Sequence, residues 1–368
     1  MAKSRRVIAL VAALVLFLTS TPGNDRLVYS APERSAAEDA HESSWDEQHL
    51  KTTADALCKE FNAFLKEIGS EPTARVKVSE RYIFVYNVSD VYLEWISVLL
   101  EEVAKAFDKF VDKIGLEVDE LTEPMTVVVF ATREEFDAYA AVLRGPDYMN
   151  LKRTVSGFYH HRLNRSIVYD HTGVEAFRSD NVASTTENRS YSRKRINLEA
   201  REVKLRKNAE SNIRTLVHET THQLCFNYGV FSTAFRAPDW VVEGMAATFE
   251  PATPEAPLGW RFRNVFPVSR HYLNALRKYA QEYASSSAIV RKALVTDVLD
   301  EQGYAASWAI FYYCYRKRPK ELAAYLKLIA SKRPFAEYPE EEKINDFVEF
   351  FGDISEFSAE LEKYMKKL

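Results

Sequence analysis

The chain has little net charge, few cysteines and no apolar run long enough to span a bilayer. Its 368 residues carry a net charge of −4, with both signs spread widely, so the basic stripe typical of nucleic-acid binding is missing. Cys58, Cys225 and Cys314 lie in apolar, helical contexts and indicate buried thiols, although one pair could bridge in an exported chain. A composition of 46% hydrophobic and 28% charged residues is typical of a globular protein with one large domain or two smaller ones.

The N-terminus contains the one pronounced apolar run. Apolar residues at 7–18 follow a basic stretch and precede small and polar residues, which is the order found in secretory signal peptides. This run is short for a membrane span, which needs about 20 apolar residues. No A-x-A cleavage site follows it, so an uncleaved anchor is the alternative, and no cysteine is present there for a lipoprotein anchor. We expect residues 1–22 to be a signal peptide and the rest to be exported to the periplasm or the extracellular space.

Periodicity predicts an α+β domain at 48–368 behind a polar, acidic linker at 23–47. The first part of this domain alternates strands with helices and then continues as a hairpin. The predicted elements are helices 48–68 and 91–114, a helix capped by Thr132 with Glu135 at the capping-box position, and strands 82–86, 125–130, 156–160 and 166–170. This order suggests a small mixed sheet in a subdomain at 48–210 and a mostly helical subdomain at 211–368.

A polar insertion rich in arginine and lysine occupies residues 172–210. We expect it to be a solvated loop. The alternative is a lid over a cleft, where its positive charge would favour acidic substrates.

The segment from His218 to His222 is an H-E-x-x-H sequence with apolar flanks typical of a helix. Histidines four residues apart lie one above the other on a helix face, about 6 Å apart at Cβ, which allows two imidazoles to bind one zinc ion. Glu219 lies on a neighbouring part of that face and can reach a metal-bound water. The pattern is short and also arises by chance, so an accidental motif in a structural protein is an alternative.

Glu243 is the third candidate ligand. Twenty residues separate it from His222, enough for a turn and a second helix, and Pro238-Asp239 is a helix start signal. Its neighbours are Trp, Val, Met and Ala, among which an unpaired carboxylate would be costly to bury, and a metal would remove that cost. The alternative is a glutamate that faces solvent.

These motifs resemble those of the gluzincins, zinc peptidases with an H-E-x-x-H helix and a downstream glutamate ligand, and most of all a group of secreted bacterial gluzincin-like proteins. The similarity rests on HETTHQL at 218–224 and PDWVVEGMAATFE at 238–250, with weaker similarity from residue 82 to the C-terminus. Some gluzincins place an acidic residue four positions after the glutamate ligand, where it orients a histidine, but Ala247 stands there. Glu250 is another possible partner, although we expect a solvated glutamate at the helix end.

The resemblance implies a zincin-like fold and an exported zinc metallopeptidase that acts on a peptide or protein substrate. His218, His222 and Glu243 would bind Zn²⁺, and Glu219 would be the general base that acts on the zinc-bound water. The alternative function is a zincin-fold binding or cell-envelope protein that holds zinc but has little turnover.

The resemblance also implies a second group that stabilises the oxyanion, since gluzincins often supply a tyrosine or histidine from a later helix. Tyr304 is the candidate, because it opens an apolar helix beside small residues. The equal alternative is a tyrosine that only packs in the core, and His271 is the next residue to consider. Strand 165–170 is expected to be a sheet edge at which an extended peptide could pair.

Overall fold

A computed structural model describes residues 45–145, 156–171, 211–250, 266–282, 285–297 and 299–368. The predicted signal peptide at 1–22, the linker up to residue 44 and the insertion at 172–210 lie outside the described residues. Within them, no helix is both long enough and apolar enough to cross a membrane.

The first half of the chain combines strands and helices in the predicted order. Its elements are α1 Glu47–Glu67, β1 Arg75–Val78, β2 Tyr82–Tyr86, α2 Asp90–Ile114, β3 Met125–Phe130, α3 Arg133–Arg144, β4 Gly157–His160 and β5 Arg165–Tyr169. Strand β1 was not predicted, because its four residues RVKV are short and partly exposed. Thr132 caps α3 as expected, but the Glu135 side chain accepts a hydrogen bond from Asn87 instead of turning back to the cap.

The second half is helical in all its regular elements that the structure describes. It begins with α4 at residues 211–227, which carries the H-E-x-x-H sequence. The helices that follow are α5 Asp239–Phe249, α6 Arg270–Tyr279, α7 Ser286–Val295, α8 Glu301–Lys317, α9 Pro319–Ser331, α10 Glu340–Phe351 and α11 Ile354–Met365. The predicted α+β class, with a mixed sheet before a mostly helical part, is therefore confirmed.

The sheet has the strand order β1-β2-β3-β5-β4. Strands β2, β3 and β5 are parallel, while β1 and β4 pair antiparallel with β2 and β5. The expectation that strand 165–170 is an edge was wrong. After α3, strand β4 runs antiparallel to β5, and β5 then returns parallel to β3. Strand β5 therefore lies inside the sheet, and β4 is the outermost strand on this side among the described residues.

Both faces of the sheet are buried, which explains why β2 has no exposed position. Ile83 and Val85 contribute to a small core beneath α1 and α3. Tyr82, Phe84 and Tyr86 point to the opposite face and join the main core with α2, α4 and the C-terminal helices. The sheet therefore supports α4 from one side.

Helix α4 is enclosed: none of residues 211–227 is exposed. Helix α5 reaches it from the other side and packs in turn on α8. Gly244 makes this second contact unusually close, because a Cβ there would lie 2.5 Å from the Ser307 carbonyl oxygen and 2.9 Å from Phe311 Cβ. This approach places the Glu243 and Tyr304 regions of two helices side by side.

We expect Gly244→Ala to destabilise the protein. The added methyl group meets backbone, which cannot move aside without shifting α8, so a loss of about 1–3 kcal/mol in the free energy of unfolding is expected. Gly303→Ala is the matched control, because its Cβ would mainly meet the movable Leu299 side chain. Thermal unfolding of both variants tests this, and equal melting temperatures would contradict a close α5–α8 contact.

Candidate metal centre

Hydrogen bonds from polar side chains hold α4 in place on the sheet. At its start, Asn212 donates to Asp170 Oδ1 over 2.8 Å and accepts from the His171 main-chain N–H over 2.8 Å. Directly after His222, Gln223 Nε2 donates to the carbonyl oxygens of Thr126 and Asn164, at 3.0 and 2.9 Å. These bonds fix the rotation of α4, and they thereby direct the H-E-x-x-H face away from the sheet.

The outermost strand β4 lies directly against α4. A Cβ at Gly157 would lie 2.5 Å from Thr215 Cγ2, so only glycine allows this approach without a shift. Two residues later, the Tyr159 main-chain N–H donates to Glu219 Oε2 over 2.8 Å. The Glu219 carboxylate is therefore held at the border between β4 and α4.

The structure brings the three predicted ligands together. Glu243 Oε2 lies 3.0 Å from His218 Nε2 and 3.5 Å from His222 Nε2, and the two Nε2 atoms are 3.1 Å apart. Each of the three residues offers a ligand atom within 4.8 Å of the others. Helix periodicity aligned the histidines, and the turn between α4 and α5 returned the glutamate to them.

These separations fit a zinc ion. Ligands about 2.0–2.1 Å from a tetrahedral Zn²⁺ lie about 3.3 Å from one another, close to the three observed distances. Two imidazole nitrogens and one carboxylate oxygen are also a ligand set that zinc prefers.

The electrostatics of this cluster favour bound positive charge. Burial alone would raise the pKa of Glu243, but the neighbouring His222 and His218 hold that pKa far below its usual value. Burial alone would lower the pKa of His218, but its hydrogen bonds with Glu243 and Glu250 raise that pKa well above the usual value. A proton or a metal ion bound between these side chains would balance the negative charge of Glu243.

Glu250 is not solvated, so that expectation was wrong. Only 5% of the residue is exposed, and its Oε1 lies 2.8 Å from His218 Nδ1. The Tyr272 hydroxyl donates to the same oxygen over 2.8 Å, and Arg214 contacts Oε2 through Nε at 2.9 Å and a terminal nitrogen at 2.8 Å. Burial alone would raise the pKa of Glu250, but the bonds from His218 and the charge of Arg214 lower it.

Tyr304, the candidate oxyanion donor, lies beside the cluster. Its ring centroid is 6.2 Å from that of His218, and the residue is half-buried in the first turn of α8. Burial raises the pKa of its hydroxyl, and the negative charges of Glu243 and Glu219 raise it further. The hydroxyl is therefore a neutral hydrogen-bond donor close to the candidate ligands.

His271 and Cys225 do not reach the group formed by His218, His222 and Glu243. His271 is exposed on α6, and its neighbour Tyr272 is the residue that reaches the site. Cys225 is fully buried, with its Sγ 3.5 Å from Met245 Sδ, which confirms the prediction of a buried thiol.

Sequence reasoning missed Tyr159, Arg214 and Tyr272. For Arg214 a signal was present, since it precedes His218 by four residues and so lies on the same helix face. Tyr159 acts through its main chain and Tyr272 through a tertiary contact, and neither has a local signature.

Comparison with protein families matches residues 212–336 to the family described as "Protein of unknown function (DUF1570)". The matched region covers about one third of the chain and contains the three candidate ligands, Glu219 and Tyr304. Comparison with curated proteins finds no match.

We expect Gln223→Leu to weaken the attachment of α4 to the sheet. The substitution leaves the carbonyl oxygens of Thr126 and Asn164 without this donor, and an unpaired shielded polar group costs about 1–3 kcal/mol. Gln48→Leu on the exposed face of α1 is the control and should change stability by less than about 0.5 kcal/mol. Urea unfolding curves of the two variants provide the measurement. Similar midpoints would show that the hydrogen bonds from Gln223 to Thr126 and Asn164 contribute little to stability.

Proposed function

We propose that this chain is an exported zinc metallopeptidase that hydrolyses peptide bonds. The observation that carries the proposal is the group of His218, His222 and Glu243, whose ligand atoms lie at tetrahedral separations with the Glu219 carboxylate adjacent in sequence. The H-E-x-x-H and downstream glutamate of the gluzincins support the same assignment.

His218, His222 and Glu243 would hold the ion, and this set leaves one position of a tetrahedron open. When bound, zinc supplies a Lewis acid and lowers the pKa of a coordinated water to about 7. An open position is the feature that separates a catalytic zinc site from a structural one.

Glu219 would be the general base. Its Oε2 is held by the Tyr159 N–H, so the carboxylate has a defined position against β4. Its charge acts on both His218 and Tyr304, which places it within electrostatic reach of both side chains. From there it would accept a proton from the attacking water and transfer it to the leaving amine.

Strand β4 is the element at which an extended substrate would pair, in place of β5. The Tyr159 N–H points to Glu219 and away from β5, so the main-chain groups of alternate residues, Gly157 and Tyr159, lie on the side of β4 that faces away from β5. A peptide added along this strand would pass the Glu219 carboxylate.

The first test of the proposal is metal content. His218→Ala, His222→Ala and Glu243→Ala should each lose the metal, because each removes one of three ligands. Glu219→Gln should retain about one zinc per chain, because Glu219 acts on water. The measurement is metal analysis of the purified protein by mass spectrometry.

The control is His161→Ala, which removes an exposed histidine from the turn after β4 and should leave the zinc content unchanged. If Glu219→Gln lost zinc as completely as His218→Ala, the assignment of Glu219 as the base would be wrong. Cleavage of a peptide library by wild type and Glu219→Gln then separates an enzyme from a binding protein. An enzyme cleaves peptides as wild type and loses this activity as Glu219→Gln, whereas a binding protein shows little cleavage in either form.

Tyr304 would donate a hydrogen bond to the oxyanion that forms during hydrolysis. Tyr304→Phe should then lower kcat by roughly 10²–10³-fold with little change in KM. Folding and zinc content should match wild type, because the ring remains and no ligand is removed. Steady-state kinetics on a cleaved library peptide provide the measurement, and an unchanged kcat would exclude Tyr304 from this role.

A further inference from the structure

Glu250 links three helices at the back of His218. It follows the last turn of α5, receives Arg214 and His218 from α4, and receives Tyr272 from α6. All four contacts are 2.8–2.9 Å long, and the carboxylate is 5% exposed. Charged hydrogen bonds of this kind are stronger than neutral ones, particularly where water is excluded.

The two carboxylate oxygens of Glu250 have different partners. Arg214 binds Oε2 with two nitrogens, and His218 and Tyr272 share Oε1. Because Glu250 is paired with a guanidinium, its carboxylate is held ionised and accepts hydrogen bonds. This contact assigns a proton to His218 Nδ1 and directs Nε2 toward His222 and Glu243, where a bound metal would take the Nε2 lone pair.

The two histidines are held differently. His218 Nδ1 has a charged partner, whereas His222 Nδ1 is buried and has no hydrogen-bond partner among the described residues. Among the described residues, His218 is therefore the candidate ligand whose Nδ1 is held by a hydrogen bond.

We propose that Glu250 is a positioning residue that sets the zinc affinity of the site through His218, and that Tyr272 acts on the same site through Glu250. This inference rests on the proposed zinc site. It differs from the gluzincin pattern, because the position four residues after Glu243 is Ala247 and the orienting carboxylate comes from the end of the helix, seven residues on.

Tyr272 makes α6 part of the metal site. Its ring packs on Trp308 of α8 with centroids 6.0 Å apart, and the Arg214 guanidinium lies 5.5 Å from its centroid. Trp308 and Arg214 thus hold the Tyr272 ring in the position from which its hydroxyl donates to Glu250. Loss of that hydroxyl should loosen Glu250 without removing any ligand.

The experiment measures the zinc dissociation constant of purified protein by competition with a chelator. Glu250→Met, which keeps size and removes both acceptors, should weaken zinc binding by roughly 10–100-fold. Glu250→Gln keeps one acceptor for His218 and should fall between Glu250→Met and wild type. Tyr272→Phe should weaken binding less than Glu250→Met does, and should weaken it no further when combined with Glu250→Met.

Tyr313→Phe is the matched control. Tyr313, in the C-terminal half of α8, also donates its hydroxyl to a glutamate, Glu360, over 2.7 Å. Because this pair does not contact the candidate ligands, its loss should leave the zinc affinity unchanged. The melting temperature of the metal-free variants reports folding separately. Tyr272→Phe provides the test if Glu250→Met does not fold.

Zinc binding by Glu250→Met within about twofold of wild type would overturn the proposal for Glu250. Equal losses from Tyr272→Phe in the wild-type and Glu250→Met backgrounds would show that Tyr272 has a general structural role and does not act through Glu250. Wild-type protein that binds no zinc would instead refute the zinc site itself, so the two failures are distinguishable.

Discussion

The enclosure of α4 is the constraint on which the rest of the structure depends. Because none of residues 211–227 is exposed, each polar side chain of this helix that finds a partner avoids the cost of an unpaired buried group, about 1–3 kcal/mol. Its polar residues therefore determine what surrounds it. Asn212 and Gln223 face the sheet, and Arg214 and His218 face the end of α5.

The two sides of α4 serve different purposes as a result. Toward the sheet, neutral amides bond to main-chain and side-chain groups, and these bonds fix the position of the helix. Toward α5 and α8, charged groups predominate, and Glu243 and Glu250 lie on either side of the His218 ring. One imidazole thus has a carboxylate at each nitrogen, and one of these carboxylates is neutralised by Arg214.

Much of this arrangement could be predicted from periodicity. The spacing of His218 and His222 determines their common face, and the apolar neighbours of Glu243 required a buried partner for its carboxylate. Elements with long regular patterns, such as α2 and β3, lie where the pattern placed them. These features depend on local geometry, which a sequence contains directly.

The features that were mispredicted depend on tertiary contacts. Glu250 ends a helix, and local sequence suggests solvent there, but Arg214 and Tyr272 arrive from 36 and 22 residues away to enclose it. Strand β5 has the same hairpin signature whether it pairs with one neighbour or two. Only the parallel pairing with β3, made after the α3 crossover, decides that β4 is the outer strand.

The hydrogen bond from the Tyr159 main chain to Glu219 does not depend on the side chain at position 159. Its donor belongs to the main chain, so it remains whichever amino acid other than proline occupies position 159. The side chain there packs against Phe226 with ring centroids 5.6 Å apart. The side-chain packing at position 159 and the position of the Glu219 carboxylate are therefore separable properties, and one can be altered by substitution while the other stays constant.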